Sequence, residues 1–195
     1  MKIVCYGDSN TYGFDPQDGG RYPANARWPE LLHSRFGIET ANEGLNGRTI
    51  PIGGRGYELL RKMLARYESF DTLTIMLGTN DIFRIWEPDA ERVALRLRNL
   101  FANVPELRRW EGGERRVLLL APPPLLIPDT EENAAYLRTA GGLSETYAAF
   151  AQEYGLDFFD VAALAPRMAF DGVHLSEEGH RQLAEVLGKV LLGLP

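Results

Sequence analysis

The chain has 195 residues, 45% hydrophobic and 25% charged, enough for one substantial core and short for two. Lys+Arg 21 against Asp+Glu 27 leaves a formal charge of -6 with no basic stripe, which argues against nucleic acid as a partner. The single cysteine, Cys5, excludes an internal disulfide, and no apolar run reaches the roughly 18 residues of a membrane span.

The first strand pattern, Ile3 to Tyr6, begins too early to leave room for a leader, so one cytoplasmic domain over residues 1–195 is expected, with no membrane contact. That strand stops at Gly7 and delivers Ser9 immediately afterwards. A Gly/Asp/Pro-rich loop, Gly13 to Asn25, leads to a helix over Trp28 to Phe36 that Gly37 stops. Ile38 to Asn42 alternates weakly and reads as a second strand running into Glu43-Gly-Leu-Asn-Gly-Arg-Thr49.

Leu59, Leu60, Met63, Leu64 and Tyr67 form the apolar stripe of an amphipathic helix over about 55–69. Leu73 to Leu77 is a buried strand closed by Gly78-Thr-Asn-Asp81, and Ala90 to Val104 is another helix. Val117 to Ala121 is the next buried strand, ended by Pro122, Pro123 and Pro124. Glu131 to Tyr154 is largely helical, with a break expected at Gly141-Gly142; Leu156 to Val161 is the last strand and Ser176 to Leu192 the terminal helix. Five strands alternating with helices predict an α/β fold, a three-layer α/β/α sandwich around a mostly parallel sheet.

Open parallel sheets put their ligands at the carboxyl ends of the strands. Ser9, Asn46-Gly47 and Asn80-Asp81 follow the first three strands and converge on that rim. A serine needs a base to become a nucleophile, and the chain has three histidines to search. His33 reads as a helix-surface residue and His180 as a cap or packing residue. His174 differs, because Asp171 precedes it across a Gly172 turn, where a carboxylate can fix its tautomer and stabilise the imidazolium. The backbone N–H groups of Ser9 and Gly47 and the side-chain amide of Asn80 are the candidate donors to an oxyanion.

Aromatic and apolar residues after Ser9 and Asn80, among them Tyr12, Phe14, Tyr22, Trp28, Ile82, Phe83, Ile85 and Trp86, could wall a small pocket. Arg48 and Arg84 are candidates to hold an acidic leaving group. Asp171 and His174 lack a third neighbour that would make them metal ligands. A phosphate-cradling, flavodoxin-like reading of residues 7–11 competes with the serine reading, but that loop has neither a Gly-rich run nor a lysine.

Gly7-Asp-Ser9, Gly47, Gly78-Thr-Asn-Asp81 and Asp171-Gly-Val-His174 resemble the four blocks of the GDSL, or SGNH, hydrolase superfamily, nearly end to end. The resemblance implies Ser9 as nucleophile, His174 as base, Asp171 as its partner, and Ser9, Gly47 and Asn80 as the oxyanion hole. It implies a serine esterase that needs no metal or organic cofactor, with a small-molecule ester as partner and homo-oligomer formation left open; no segment reads as a separate lid, which favours short acyl chains, and a carbohydrate acetylesterase and a lysophospholipase or thioesterase are the rival activities within the superfamily. Asp8, Asn10, Tyr12, Asn46, Ile82, Trp86 and Val173 are the expected substrate-contacting residues. Gly7-Asp-Ser-Asn-Thr-Tyr-Gly13 and residues 43–49 look like the arylesterase and acyltransferase subgroup. Two departures stand out: Asn10 replaces the family's leucine, and the Ile50 to Tyr57 loop is shorter than in acyltransferases that assemble through it.

Overall fold

The computed structural model describes residues 1–110, 113, 114 and 116–194. In chain order the elements are β1 (Lys2–Gly7), α1 (Ser9–Tyr12), α2 (Trp28–Phe36), β2 (Glu39–Gly44), α3 (Gly53–Leu64), β3 (Thr72–Met76), α4 (Thr79–Arg84) and α5 (Ala90–Asn103). A two-residue pair, β4 (Arg109–Trp110) and β5 (Gly113–Glu114), precedes β6 (Arg116–Ala121), α6 (Ala134–Tyr154), β7 (Asp157–Asp160) and α7 (Glu177–Leu192).

The main sheet has the order β2-β1-β3-β6-β7, and every pairing in it is parallel. The expectation of a mostly parallel sheet is therefore met in full; the antiparallel β4–β5 pair lies outside it. The three central strands are almost continuously buried, with Thr72 and Thr74 the polar residues within β3, because helices cover both faces, whereas the edge strands β2 and β7 are only half-buried. Successive residues point to opposite faces. Val4, Tyr6, Leu73, Ile75, Val117 and Leu119 pack with α3, α5 and α6. Ile3, Cys5, Met76, Leu118 and Leu120 pack with α2 and α7 on the other face.

The helix ends follow local chemistry. Pro29 sits in the first turn of α2, and Gly37 closes it in the left-handed region. Ser176 caps α7 by accepting from the Gly179 N–H at 3.1 Å, with Glu177 and Glu178 in the first turn. The break expected at Gly141-Gly142 is absent: α6 runs unbroken for 21 residues. A side chain at Gly142 would put its Cβ 3.1 Å from Ala90 Cβ, so this glycine permits α5 and α6 to pack closely. Tertiary packing outweighs the local cost of two glycines.

Candidate active site

The strand order reverses between β1 and β3, which opens a crevice at their carboxyl ends. Register places the ends level, with Gly7 opposite both Gly44 and Met76. The segments that follow these three residues carry Ser9, Gly47 and Asn80.

Ser9 opens α1 directly after β1. Asp8 caps that turn, its Oδ1 accepting the Asn10 N–H at 2.9 Å. The turn sits tightly on the sheet: a Cβ on Gly44 would lie 2.0 Å from the Tyr12 nitrogen. Ser9 is buried, with 6% of its surface exposed.

His174 arrives from the loop before α7. Asn10 staples that loop to α1, donating from Nδ2 to the Val173 carbonyl at 3.2 Å and accepting the Leu175 N–H on Oδ1 at 2.8 Å. His174 Nε2 lies 3.0 Å from Ser9 Oγ, and Nδ1 lies 2.6 Å from Asp171 Oδ2. The other Asp171 oxygen accepts the backbone N–H groups of Val173 and His174, each at 3.0 Å. Burial works against the Asp171 carboxylate, but the ring and backbone donors outweigh it and hold the carboxyl below its usual range. An acceptor on Nδ1 selects the tautomer that leaves Nε2 free to accept the serine proton. The Phe14 ring packs on His174 with centroids 4.7 Å apart.

In the loop after β2, Gly47 takes φ 72°, a left-handed conformation that suits glycine. Asn80 lies in α4 and donates from Nδ2 to the Arg48 carbonyl at 3.1 Å and to Asp8 Oδ2 at 3.4 Å. Buried Asp81 ties the two segments together: its carboxylate accepts the Ile50 N–H at 3.0 Å and Arg96 Nη1 at 2.6 Å. Behind α4, Gly78 has φ 129°, and its missing Cβ makes room for the Tyr147 hydroxyl, which donates to the Leu77 carbonyl at 2.9 Å.

Asp8, Ser9, Asn80, Asp171 and His174 are thus joined in pairs by hydrogen bonds or adjacency in the chain. Other expectations are corrected. Ile82 is 1% exposed and packs in the core instead of walling a pocket, as does Trp28 at 0%. Asn10 is equally buried and works as the staple, while Asp8 caps α1 beneath the site. Arg48 is also taken up internally, donating to the Gly7 and Glu43 carbonyls and lying 4.2 Å over the Tyr6 ring. Tyr12 is half-buried under Arg21, and half-buried Val173 packs against the core. Asn46 and Trp86 are exposed, Trp86 at 85%. The Asn10 staple and the Asp81–Arg96 brace had no local sequence signal, because each joins segments far apart in the chain.

The remaining histidines fall outside the site. His33 is exposed on α2. His180 is buried, accepts the Trp28 N–H on Nδ1 at 3.4 Å, and is pushed down to about 3 by burial and then by the Arg27 charge. Among the described residues no three His, Cys, Asp or Glu side chains are grouped to hold a metal ion. None of the helices described is long and apolar enough to cross a membrane.

Fold and site together define a carboxylic ester hydrolase of the α/β/α type. The family model described as "GDSL-like Lipase/Acylhydrolase family" matches residues 5–182, and the chain belongs to that family. The chain is similar to the solved aryl esterase of M. smegmatis at 28% identity, covering 100% of both chains with a TM-score of 0.83. It is similar to Est24, a carbohydrate acetylesterase from Sinorhizobium meliloti, at 27% identity, 99% of each chain and a TM-score of 0.83. A carbohydrate acetylesterase family member from Sinorhizobium meliloti matches at 29% identity over 100% of both chains, with a TM-score of 0.79. No curated protein matches the chain significantly.

Proposed function

We propose that the protein hydrolyses short-acyl carboxylic esters, acetyl and aryl esters foremost, through a covalent acyl-enzyme on Ser9. The single observation that carries this reading is the continuous hydrogen-bonded row from Ser9 through His174 to Asp171, at 3.0 and 2.6 Å.

In the first step Ser9 Oγ forms a bond to the ester carbonyl carbon as its proton passes to His174 Nε2. The carbonyl electron pair moves onto oxygen, which the N–H groups of Ser9 and Gly47 and the Asn80 amide stabilise. Asp171 holds the ring in place and stabilises the imidazolium. Collapse of the intermediate breaks the bond to the alcohol oxygen, which leaves with the proton held by His174. A water then attacks the acyl-enzyme, giving its proton to His174, and the acid departs as Ser9 regains a proton.

The short-acyl preference draws support from the resemblance to an aryl esterase and to carbohydrate acetylesterases. Asn46 and Trp86, exposed beside Gly47 and α4, are assigned to the alcohol or acyl rim of the site, with half-buried Tyr12 and Val173 behind Ser9 and His174. The expected partner is a small-molecule ester in the cytoplasm.

The test is labelling with an organophosphate followed by peptide mass spectrometry. One adduct on Ser9, with parallel loss of p-nitrophenyl acetate hydrolysis, is expected. A Ser9→Ala protein that still turns over the ester removes Ser9 from the role.

A further inference from the structure

Arg84 is the last residue of α4, one helical turn beyond Asn80 and on the same face. Its Nη2 lies only 3.3 Å from where a Cβ on Gly47 would stand, so the guanidinium reaches across to the loop that carries the candidate oxyanion donor. Arg84 is exposed and makes no hydrogen bond or ion pair with another described residue. Arg48, the neighbouring arginine, is consumed by two backbone carbonyls and the Tyr6 ring. Glu87 and Glu132 line the same hollow of about 380 Å³ as Arg84, and neither forms an ion pair with it.

The hollow on the far side of the site is lined by carboxylates with no lysine or arginine among them. Asp15 and Glu177 line a hollow with Tyr22 and Phe170 beside the His174 loop. Burial, and then the charges of Asp15, Glu177, Asp171 and Asp18, push the Tyr22 phenol up to about 12. A substrate anion meets no cation in that lining, whereas on the other side Arg84 offers it a guanidinium, with Glu87 and Glu132 alongside, in a protein of net charge -6.

We propose that Arg84 is a specificity residue that binds an anionic group, carboxylate, phosphate or sulfate, borne close to the scissile ester. A guanidinium presents paired donors to such a group, and its bonds to an anion are charge-assisted. The proposal rests on the Ser9 reading above, since it places the anion relative to that nucleophile.

Two matched pairs of esters separate the sources of the anion. Mono-p-nitrophenyl glutarate against p-nitrophenyl valerate carries the charge on the acyl side; p-acetoxybenzoate against phenyl acetate carries it on the alcohol side. In at least one pair Arg84→Gln is expected to lower the charged-to-neutral ratio of kcat/KM about tenfold, with Arg84→Lys retaining part of it and about 0.5 M NaCl compressing it. Arg108→Gln, remote from the site, is the control and should leave the ratio alone. A ratio unchanged by Arg84→Gln in both pairs overturns the proposal.

The same comparison is made without turnover by calorimetric titration of Ser9→Ala and Ser9→Ala/Arg84→Gln with the four esters. About tenfold tighter binding of a charged ester, lost in the double variant, supports the role of Arg84. Equal affinities, or binding in neither protein, sink it. Turnover by Ser9→Ala instead defeats the Ser9 reading alone, and the effect of Arg84→Gln on the ratio still decides the role of Arg84.

Discussion

His174 Nε2 stands 3.0 Å from Ser9 Oγ although 165 residues separate the two in the chain. The contact depends on β1 ending at the switch point and on Asn10, the residue after the serine, gripping the backbone on both sides of His174. The nucleophile's own turn therefore sets the position of its base.

Asp171→Asn is expected to cut kcat about 10⁴-fold while the protein stays folded. The amide oxygen can keep the two backbone N–H groups, which turns the amide nitrogen toward His174 Nδ1. That donor forces the ring into the tautomer whose Nε2 carries a proton, leaving no lone pair for Ser9. Steady-state kinetics with a far-ultraviolet circular dichroism control test this, and a loss under about tenfold would mean that Asp171 does not orient the ring.

Asn80→Ala is expected to lower kcat about 10²- to 10³-fold with little change in KM, the signature of a donor that matters in the transition state. An increase in KM alone would assign Asn80 to ground-state binding.

Stability should respond to pH through two buried groups of opposite behaviour. Burial, and then the nearby Asp81 charge, push the Asp8 carboxyl up to about 7 against the hydrogen bond from Asn10. Its folded pKa exceeds the unfolded value, so the native state holds more protons and stability falls as pH rises from about 4 to about 7. His180, pushed down to about 3, does the reverse: the unfolded state binds the extra proton, and stability is lost as pH falls from about 6.5 toward 3. Over the shared window the two slopes oppose each other. Replacing Asp8 by Asn should leave the His180 slope unopposed and improve stability at pH 8 relative to pH 5 by on the order of 2 kcal/mol against wild type. His180→Asn, whose Oδ1 can still accept the Trp28 N–H, should tilt the profile the other way. Urea unfolding at several pH values measures both; parallel profiles in all three proteins would refute the assignment.

Tyr147→Phe removes the side-chain hydrogen bond to the Leu77 carbonyl, just behind Gly78 and Asn80. Leaving a buried carbonyl short of a donor should cost about 1–3 kcal/mol in thermal or urea unfolding. A variant as stable as wild type would show that the carbonyl finds another partner.

How far the sequence could be read follows from which signals are local. The buried runs at Ile3, Leu73 and Val117 announce central strands because both faces of a parallel sheet are covered. The four blocks around Ser9, Gly47, Asn80 and His174 are likewise local, since each sits where an element starts or stops. Ile82 and Trp28 misled because an apolar side chain in a loop or short helix has the same letters whether it walls a cleft or fills the core. The Gly141-Gly142 pair misled in the other direction, since its use lies on a neighbouring helix.

By itself the sequence determined the layered α/β architecture, the strand ends and the residue types delivered there, because period, apolar runs and turn residues act over a few neighbours. Only the tertiary structure decided which of those residues meet: Asn10 bridging to the His174 loop, Arg48 turned inward, Arg84 beside Gly47 without a hydrogen-bond or ion-pair partner among the described residues. Such pairings depend on strand order, register and the packing of crossovers, which join residues far apart in the chain and leave no trace in any local pattern.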